Sequence, residues 1–229
     1  MAESEGTMKG LLVKDFNILL LQKKFLGMVL MISIILLLTA EDPSFLVGYI
    51  TVMCGIVTVS TINYDEFDNG NTFLFTLPIT RKGYVLEKYV LVMLFSGLAW
   101  VAATLASILF SVVKLPGFDV MQGIGEAVLV FVVCMMFEFI MIPIQLKYGG
   151  EKSKVVMVAM VGIVVVLGTI LKFVFEKLEG VISIDVEGLI QTLDSIGFAE
   201  WIVIVVVASV AVMMISMSVS RQIMEKKQF

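Results

Sequence analysis

The stretch Trp201–Val219 reads WIVIVVVASVAVMMISMSV and contains no charged residue, proline or glycine. A helix of roughly 20 mainly apolar residues spans the ~30 Å hydrocarbon core of a bilayer. Apolar and polar residues do not alternate here as they would in the strand of a membrane barrel. The stretch therefore predicts a membrane-spanning helix.

Five other blocks of the chain are also mainly apolar and are predicted to span the membrane. They are Phe25–Ala40, Phe45–Ile62, Tyr89–Val113, Met121–Ile144 and Val155–Phe175. The whole chain is 59% hydrophobic and 16% charged, with a mean hydropathy of +1.05, whereas soluble domains are roughly 25% charged. We predict an all-α polytopic membrane protein, with residues 1–229 forming a single domain of six transmembrane helices.

The basic residues predict how these spans are oriented. Thirteen of the sixteen Lys and Arg lie before the first span, after the sixth, or in the second-to-third and fourth-to-fifth connections. The other three are Lys114, Lys172 and Lys177. Because Lys and Arg accumulate on the cytoplasmic side, this distribution places both termini in the cytoplasm.

Two segments outside the spans have helical apolar spacing. Residues 8–24 mix apolar and basic residues, which predicts an N-terminal amphipathic helix at the membrane interface; the alternative is the start of a long, tilted first span. Residues 176–200 predict an outer amphipathic or re-entrant helix, the alternative being a flexible loop. We expect Met8 to be the natural start, or residues 1–7 to be a disordered leader.

Several classes of function lose their support in the sequence. The chain has no His, no P-loop and no complete dinucleotide-binding motif, and Cys54 and Cys134 both lie in apolar blocks. These features favour a protein without catalytic, cofactor-binding or metal-binding residues. The net charge of −4 and the lack of a basic face argue against a nucleic-acid partner.

The connection Asn63–Lys88, which we call the coupling segment, reads NYDEFDNGNTFLFTLPITRKGYVLEK. It is longer than a turn requires, and it places a short apolar run beside fixed charges. Such a run is typical of a docking surface. The alternative is a solvated loop anchored at the membrane interface.

Three short motifs resemble those of a known family. They are the start Met8–Asp15, the phrase from Tyr64-Asp65-Glu66 through Thr76–Arg81 to Lys88-Tyr89, and Pro143 followed by Lys147–Lys152. In this order they resemble the small ABC-2 type permeases of Gram-positive bacteria, the family that includes the permease subunits of the phenol-soluble-modulin exporter. The resemblance implies an ABC-2, type V exporter-like fold in the bacterial cell membrane.

The resemblance also implies partners and contact residues. Two permeases, identical or different, pair and dock on a separate ABC ATPase subunit, which binds ATP and Mg, so this chain needs no cofactor of its own. The implied ATPase-coupling contacts lie in the coupling segment: Asp65, Glu66, Phe67, Phe73, Phe75 and Arg81. Residues 147–154 are a weaker candidate for the same surface.

Two carboxylates, Glu126 and Glu138, lie inside the predicted fourth span. Glu138 falls about two turns, or roughly 10 Å, from the cytoplasmic end of the fourth span. Intramembrane carboxylates usually face protein or a water-filled path, so Glu138 is an intramembrane functional candidate, with a cationic substrate group or Lys147 as a possible partner. The alternative is a protonated, hydrogen-bonded packing residue. Glu126 is expected nearer the interface.

These features together favour a permease of an ATP-driven exporter of amphipathic or antimicrobial peptides. The acidic outer segment would suit cationic peptides, although solvated charge explains it equally well. A proton-coupled secondary transporter that uses Glu138 and a non-transporting membrane assembly or sensor protein are the alternatives.

Overall fold

The computed structural model describes the backbone of residues 2–39, 44–67, 70–114, 117–178 and 198–227. Within these ranges, the side chains of residues 2–7, 44, 151, 154, 157–178 and 198–199 are not described. All regular elements in the described ranges are helices. The bounds are α1 Ala2–Leu21, α2 Lys23–Thr39, α3 Ser44–Val59, α4 Thr61–Glu66, α5 Gly70–Leu74, α6 Arg81–Lys114, α7 Val120–Leu178 and α8 Phe198–Lys226.

Four helical stretches are long and apolar enough to cross a membrane. They are Phe45–Glu66, Arg81–Lys114, Val120–Gly150 and Glu200–Lys226, and they contain four of the six predicted spans. The predicted span 155–175 lies in the second part of α7, whose side chains are not described beyond residue 156. The count of six therefore stays a prediction.

The N-terminal part of the chain forms two helices joined at a sharp bend. Met8–Leu21 and Lys23–Thr39 meet at 65°, and together they would count as a fifth, broken span. Residues 8–39 therefore do not form one straight helix. Helix α1 begins at Ala2 and thus includes residues 2–7, and whether Met8 is the natural start stays a prediction. The predicted outer helix at 176–200 falls mostly on residues 179–197, outside the described residues.

Helix α7 breaks at a glycine and not at its proline. Pro143 lies inside the helix, whereas Gly149 has φ 73° and ψ −179°, which leaves the helical region. A positive φ is easily adopted only by glycine, because it has no Cβ. The break divides α7 into an arm that packs on α3, α6 and α8 and a second arm that runs to Leu178.

The main core lies at the end of the bundle that carries α4 and α5, which we call the base. Its buried members come from seven helices and include Leu11, Ile62, Tyr84, Ile142 and Met224. Helix α6 has 34 residues and is thus about 51 Å long, well beyond the ~30 Å of a hydrocarbon core. Its first two turns therefore project into the base.

Candidate functional site

A lysine near the start of α6 is buried among carboxylates from two other helices. Lys88 is 1% exposed; its Nζ lies 2.7 Å from Asp65 Oδ2 and also pairs with Asp15. The same ammonium group donates a hydrogen bond to Thr61 Oγ1 at 3.2 Å. Because Asp15 belongs to α1, and Thr61 and Asp65 to α4, one cation links three helices.

Other side chains extend this group. Lys14 pairs with Asp65 and lies 3.0 Å from Asp15 Oδ1, while the Tyr84 hydroxyl donates to Asp65 Oδ2 at 2.9 Å. Glu87 is fully buried, and its Oε2 lies 3.8 Å from Lys88 Nζ. Its carboxylate oxygens accept no hydrogen bond from the described part of the chain. We call the five charged residues the charge cluster: Lys14, Asp15, Asp65, Glu87 and Lys88.

The charge cluster fixes the start of the coupling segment against the bundle. A buried ion pair gives little net stability, yet removing one partner is strongly destabilising because the other charge stays buried and unpaired. Asp65 and Lys88 both lie in the coupling segment, while Asp15 reaches them from α1. A displacement of this segment would therefore also displace α1 and α6.

A second set of contacts attaches the end of α8 to the same segment. Arg81 donates to the carbonyl oxygens of Met224 at 2.9 Å and Glu225 at 2.7 Å, which the end of a helix leaves without helical partners. Lys227 pairs with Glu66 and donates to the Leu146 carbonyl at 3.0 Å. The base thus connects the C-terminal end of the chain to α4, α6 and α7.

The break in α7 lies against the coupling segment. A Cβ added to Gly149 would come within 2.6 Å of Glu66 Oε2, and one added to Gly150 within 3.1 Å of the Asn63 side chain. Glycine is therefore needed at Gly149 for its backbone angle and suits both positions for the close approach. This contact brings residues 147–154, the weaker docking candidate, beside the main one.

The predicted ATPase-coupling residues form two structural groups. Asp65 is 7% exposed in the charge cluster; Phe75 packs on the core with its ring 5.8 Å from that of Tyr84. Phe67 and Phe73, by contrast, are 73% and 71% exposed. Together with Glu66 and Arg81, whose partners are given above, Asp65 and Phe75 hold the segment, whereas the two exposed phenylalanines project from it.

The intramembrane candidate Glu138 lies at a contact of three helices. Its side chain is 0% exposed, and Ser96 of α6 donates to its Oε2 at 2.8 Å. A Cβ added to Gly55 of α3 would overlap the Glu138 carboxyl group. Lys147 was the partner suggested by the sequence, but its Nζ instead lies 5.0 Å from the centre of the Tyr148 ring.

A polar seam runs from Glu138 toward the base. The carbonyl of Phe139 accepts a hydrogen bond from Ser216 of α8, and the Tyr89 hydroxyl hydrogen-bonds with Ser216 at 2.6 Å and Ser220 at 2.9 Å. The rings of Tyr89 and Phe139 stack at 5.8 Å. These contacts join α6, α7 and α8 where their apolar surfaces meet.

A sequence profile described as ABC-2 family transporter protein matches residues 10–225. The chain belongs to this family. Because the match covers all but the ends, it includes the charge cluster, the coupling segment and Glu138. No curated protein matches the chain. This ABC-2 family member is accordingly a multi-pass membrane protein and the membrane component, or permease, of an ABC transporter.

Most of the residues that organise the base of this ABC-2 permease were not predicted from the sequence. Lys14, Lys88 and Lys227 were counted among the basic residues that orient the spans, and no role was predicted for the side chain of Asp15 or Glu87. A usable signal exists in retrospect, since Lys14-Asp15 and Glu87-Lys88 each place opposite charges side by side between apolar residues. Among residues with described side chains, no group of three His, Cys, Asp or Glu is arranged to hold a metal ion.

Proposed function

We propose that this chain is the permease subunit of an ATP-driven exporter of amphipathic or antimicrobial peptides, and that a separate ATPase subunit docks on the coupling segment. The family match supports the transporter class. The motif resemblance to small Gram-positive permeases supports the peptide substrate, the pairing of two permeases and the bacterial cell membrane with both termini cytoplasmic.

One observation carries the docking proposal. Phe67 and Phe73 are largely exposed, although they belong to a segment that buried charges hold in place. Exposed aromatic side chains on a fixed support are typical anchors of protein interfaces. Such a support can transmit motion, because a rigid segment moves together with the helices to which it is attached.

The same contacts suggest how ATP hydrolysis would act on the spans. Closure of two ATPase subunits would push the docked coupling segments together. The charge cluster would pass this displacement to α1 and α6, and Arg81 would pass it to the end of α8. The helices would then move as rigid bodies and switch access to a path between the paired permeases. The energy transmitted is limited by the difference between the docked contacts in the two states.

The test is binding of the candidate ATPase to the purified chain in lipid nanodiscs. The variant carries Phe67→Ala and Phe73→Ala, and the matched control carries Phe45→Ala, since Phe45 is 63% exposed at the start of α3, away from the coupling segment. Loss of anchors worth about 2 kcal/mol would weaken binding roughly 30-fold. We expect this loss in the double variant and native affinity in the control.

Other outcomes separate the alternative functions. Native affinity of the double variant would remove the docking assignment. Peptide release from proteoliposomes driven by a proton gradient without ATPase would favour the secondary transporter. An ATPase complex whose turnover never responds to an amphipathic peptide would favour an assembly or sensor protein.

A further inference from the structure

A carboxyl group that has no charged partner among the described side chains is enclosed in the membrane part of the bundle. Glu138 lies in α7 between α3 and α6, at 0% exposure, eighteen residues from the start of α7 and eleven from its break at Gly149. At 1.5 Å per residue these distances are about 27 Å and 16 Å. The carboxyl group is therefore well inside the bundle.

The environment of this carboxyl favours its neutral form. Ser96 donates one hydrogen bond to Oε2, and Oε1 accepts none from any described residue. The titratable groups that face it are the thiols of Cys54 on α3 and Cys134 on α7, and neither is a cation. Within the described side chains, α6 contributes only the Ser96 hydroxyl, and no ion pair reaches Glu138. An ionised carboxylate in such a place would lose its hydration without compensation.

The packing around Glu138 links its charge to the position of the helices. Gly55 approaches the carboxyl group so closely that a single added carbon would overlap it. Ionisation would require water or a cation beside Oε1, and the contact between α3 and α7 must open to admit either. The protonated carboxyl group of Glu138 and its hydrated, ionised form would thus favour different arrangements of the same helices.

We propose that Glu138 is a proton-binding site inside the membrane: it holds a proton while α3, α6 and α7 are closed around it and releases the proton when they separate. The site depends on the packing of this chain alone. It does not require that the ATPase docks on the coupling segment, so the two proposals fail independently.

The test uses a hydrophobic carbodiimide on the whole protein in nanodiscs at neutral pH. This reagent adds to a protonated carboxylic acid, whose proton moves to a carbodiimide nitrogen while an oxygen–carbon bond forms, and the adduct rearranges to a stable N-acylurea without a leaving group. Peptide mass mapping locates the label and separates Glu138 from Glu87, the other fully buried glutamate among the described side chains. We expect labelling at Glu138 that declines as the pH is raised.

Two variants serve as controls. Glu138→Gln should reduce the label on this peptide at least tenfold, whereas Glu126→Gln should leave it unchanged, because Glu126 lies on the same helix in an exposed contact with Gln122. A second measurement covers the case in which Glu138→Gln fails to fold. Because Glu87 is also fully buried, this measurement uses a Glu87→Gln variant, in which the infrared band of a protonated carboxyl should be present at neutral pH. No labelling at Glu138 together with no such band would overturn the proposal.

Discussion

Among the described lysines, Lys88 has the most buried carboxylates around its ammonium group. Its Nζ faces Asp15, Asp65 and Glu87. Replacing it with methionine keeps the length and removes the charge, which leaves those carboxylates without their main partner. We expect Lys88→Met to lower the unfolding free energy by about 3–5 kcal/mol. Thermal unfolding in detergent measures the loss.

Lys82 is the matched control, since it lies six residues earlier on the same helix. Its pair with Glu225 spans 3.6 Å, and the side chains are 70% and 52% exposed. Exposed pairs contribute about 0–1 kcal/mol, so Lys82→Met should leave the midpoint of unfolding nearly unchanged. If both lysine substitutions lowered the unfolding free energy equally, burial of the charge cluster would not determine how much the cluster stabilises the protein.

Gly55 and Glu138 give a second prediction at this scale. Gly55→Ala places a Cβ where the carboxyl group lies, and overpacking of this kind costs about 1–3 kcal/mol. The same substitution in a Glu138→Ala background should cost much less, because the obstructing group is gone. Gly97→Ala is the control, since nothing lies within 4 Å of its added Cβ. Additive effects at Gly55 and Glu138, measured by thermal unfolding, would contradict the contact.

Among the helices, the spans were easier to predict than the contacts that join them. Trp201–Val219 and Tyr89–Val113 lie within spans that the structure describes, because hydrophobicity over some 20 residues is a property of the local sequence. The pairing of Asp15 with Lys88 joins residues 73 apart, and nothing local specifies it. The break in α7 occurs at Gly149, where the backbone angle favours glycine, and not at Pro143.

The coupling segment contains most of α4, all of α5 and the start of α6, and the roles of its residues were not separable by sequence. Asp65 and Phe67 are two residues apart, one buried and one exposed, because α4 ends at Glu66 and Phe67 adopts an extended conformation. Periodicity cannot indicate which side of so short a helix faces the core. The ATPase contacts therefore stay a prediction, and the exposed phenylalanines are the ones to test.

The end of α8 gives a prediction at the scale of elements. Arg81→Met removes two hydrogen bonds to the last turn, and a hydrogen bond to a charged group contributes about 1.5–3 kcal/mol. We expect the amides of residues 224–227 to exchange with deuterium roughly ten- to a hundredfold faster, with little change in the centre of α8. Lys82→Met again serves as the control, and equal exchange in both variants would mean that Arg81 does not secure this end.

For the molecule as a whole, the number of membrane crossings decides how the base is used. A docking surface works only if the coupling segment, the break in α7 and the end of α8 all face the ATPase. The structure brings these three together through Glu66, Gly149 and Lys227. Their proximity requires an even number of crossings between Gly149 and Lys227, and α8 supplies one. The second arm of α7 is therefore expected to supply the other.

Cysteine accessibility tests this count in a background where Cys54 and Cys134 are alanine. We expect Lys152→Cys and Lys226→Cys, both at exposed positions, to react with an impermeant thiol reagent only from the cytoplasmic side. Met121→Cys, 78% exposed at the start of α7, should react only from outside. Opposite accessibility of Lys152→Cys and Lys226→Cys would mean that residues 155–175 do not cross, because α8 alone would then separate them. The six-span arrangement would be excluded, and with it the common face on which docking depends.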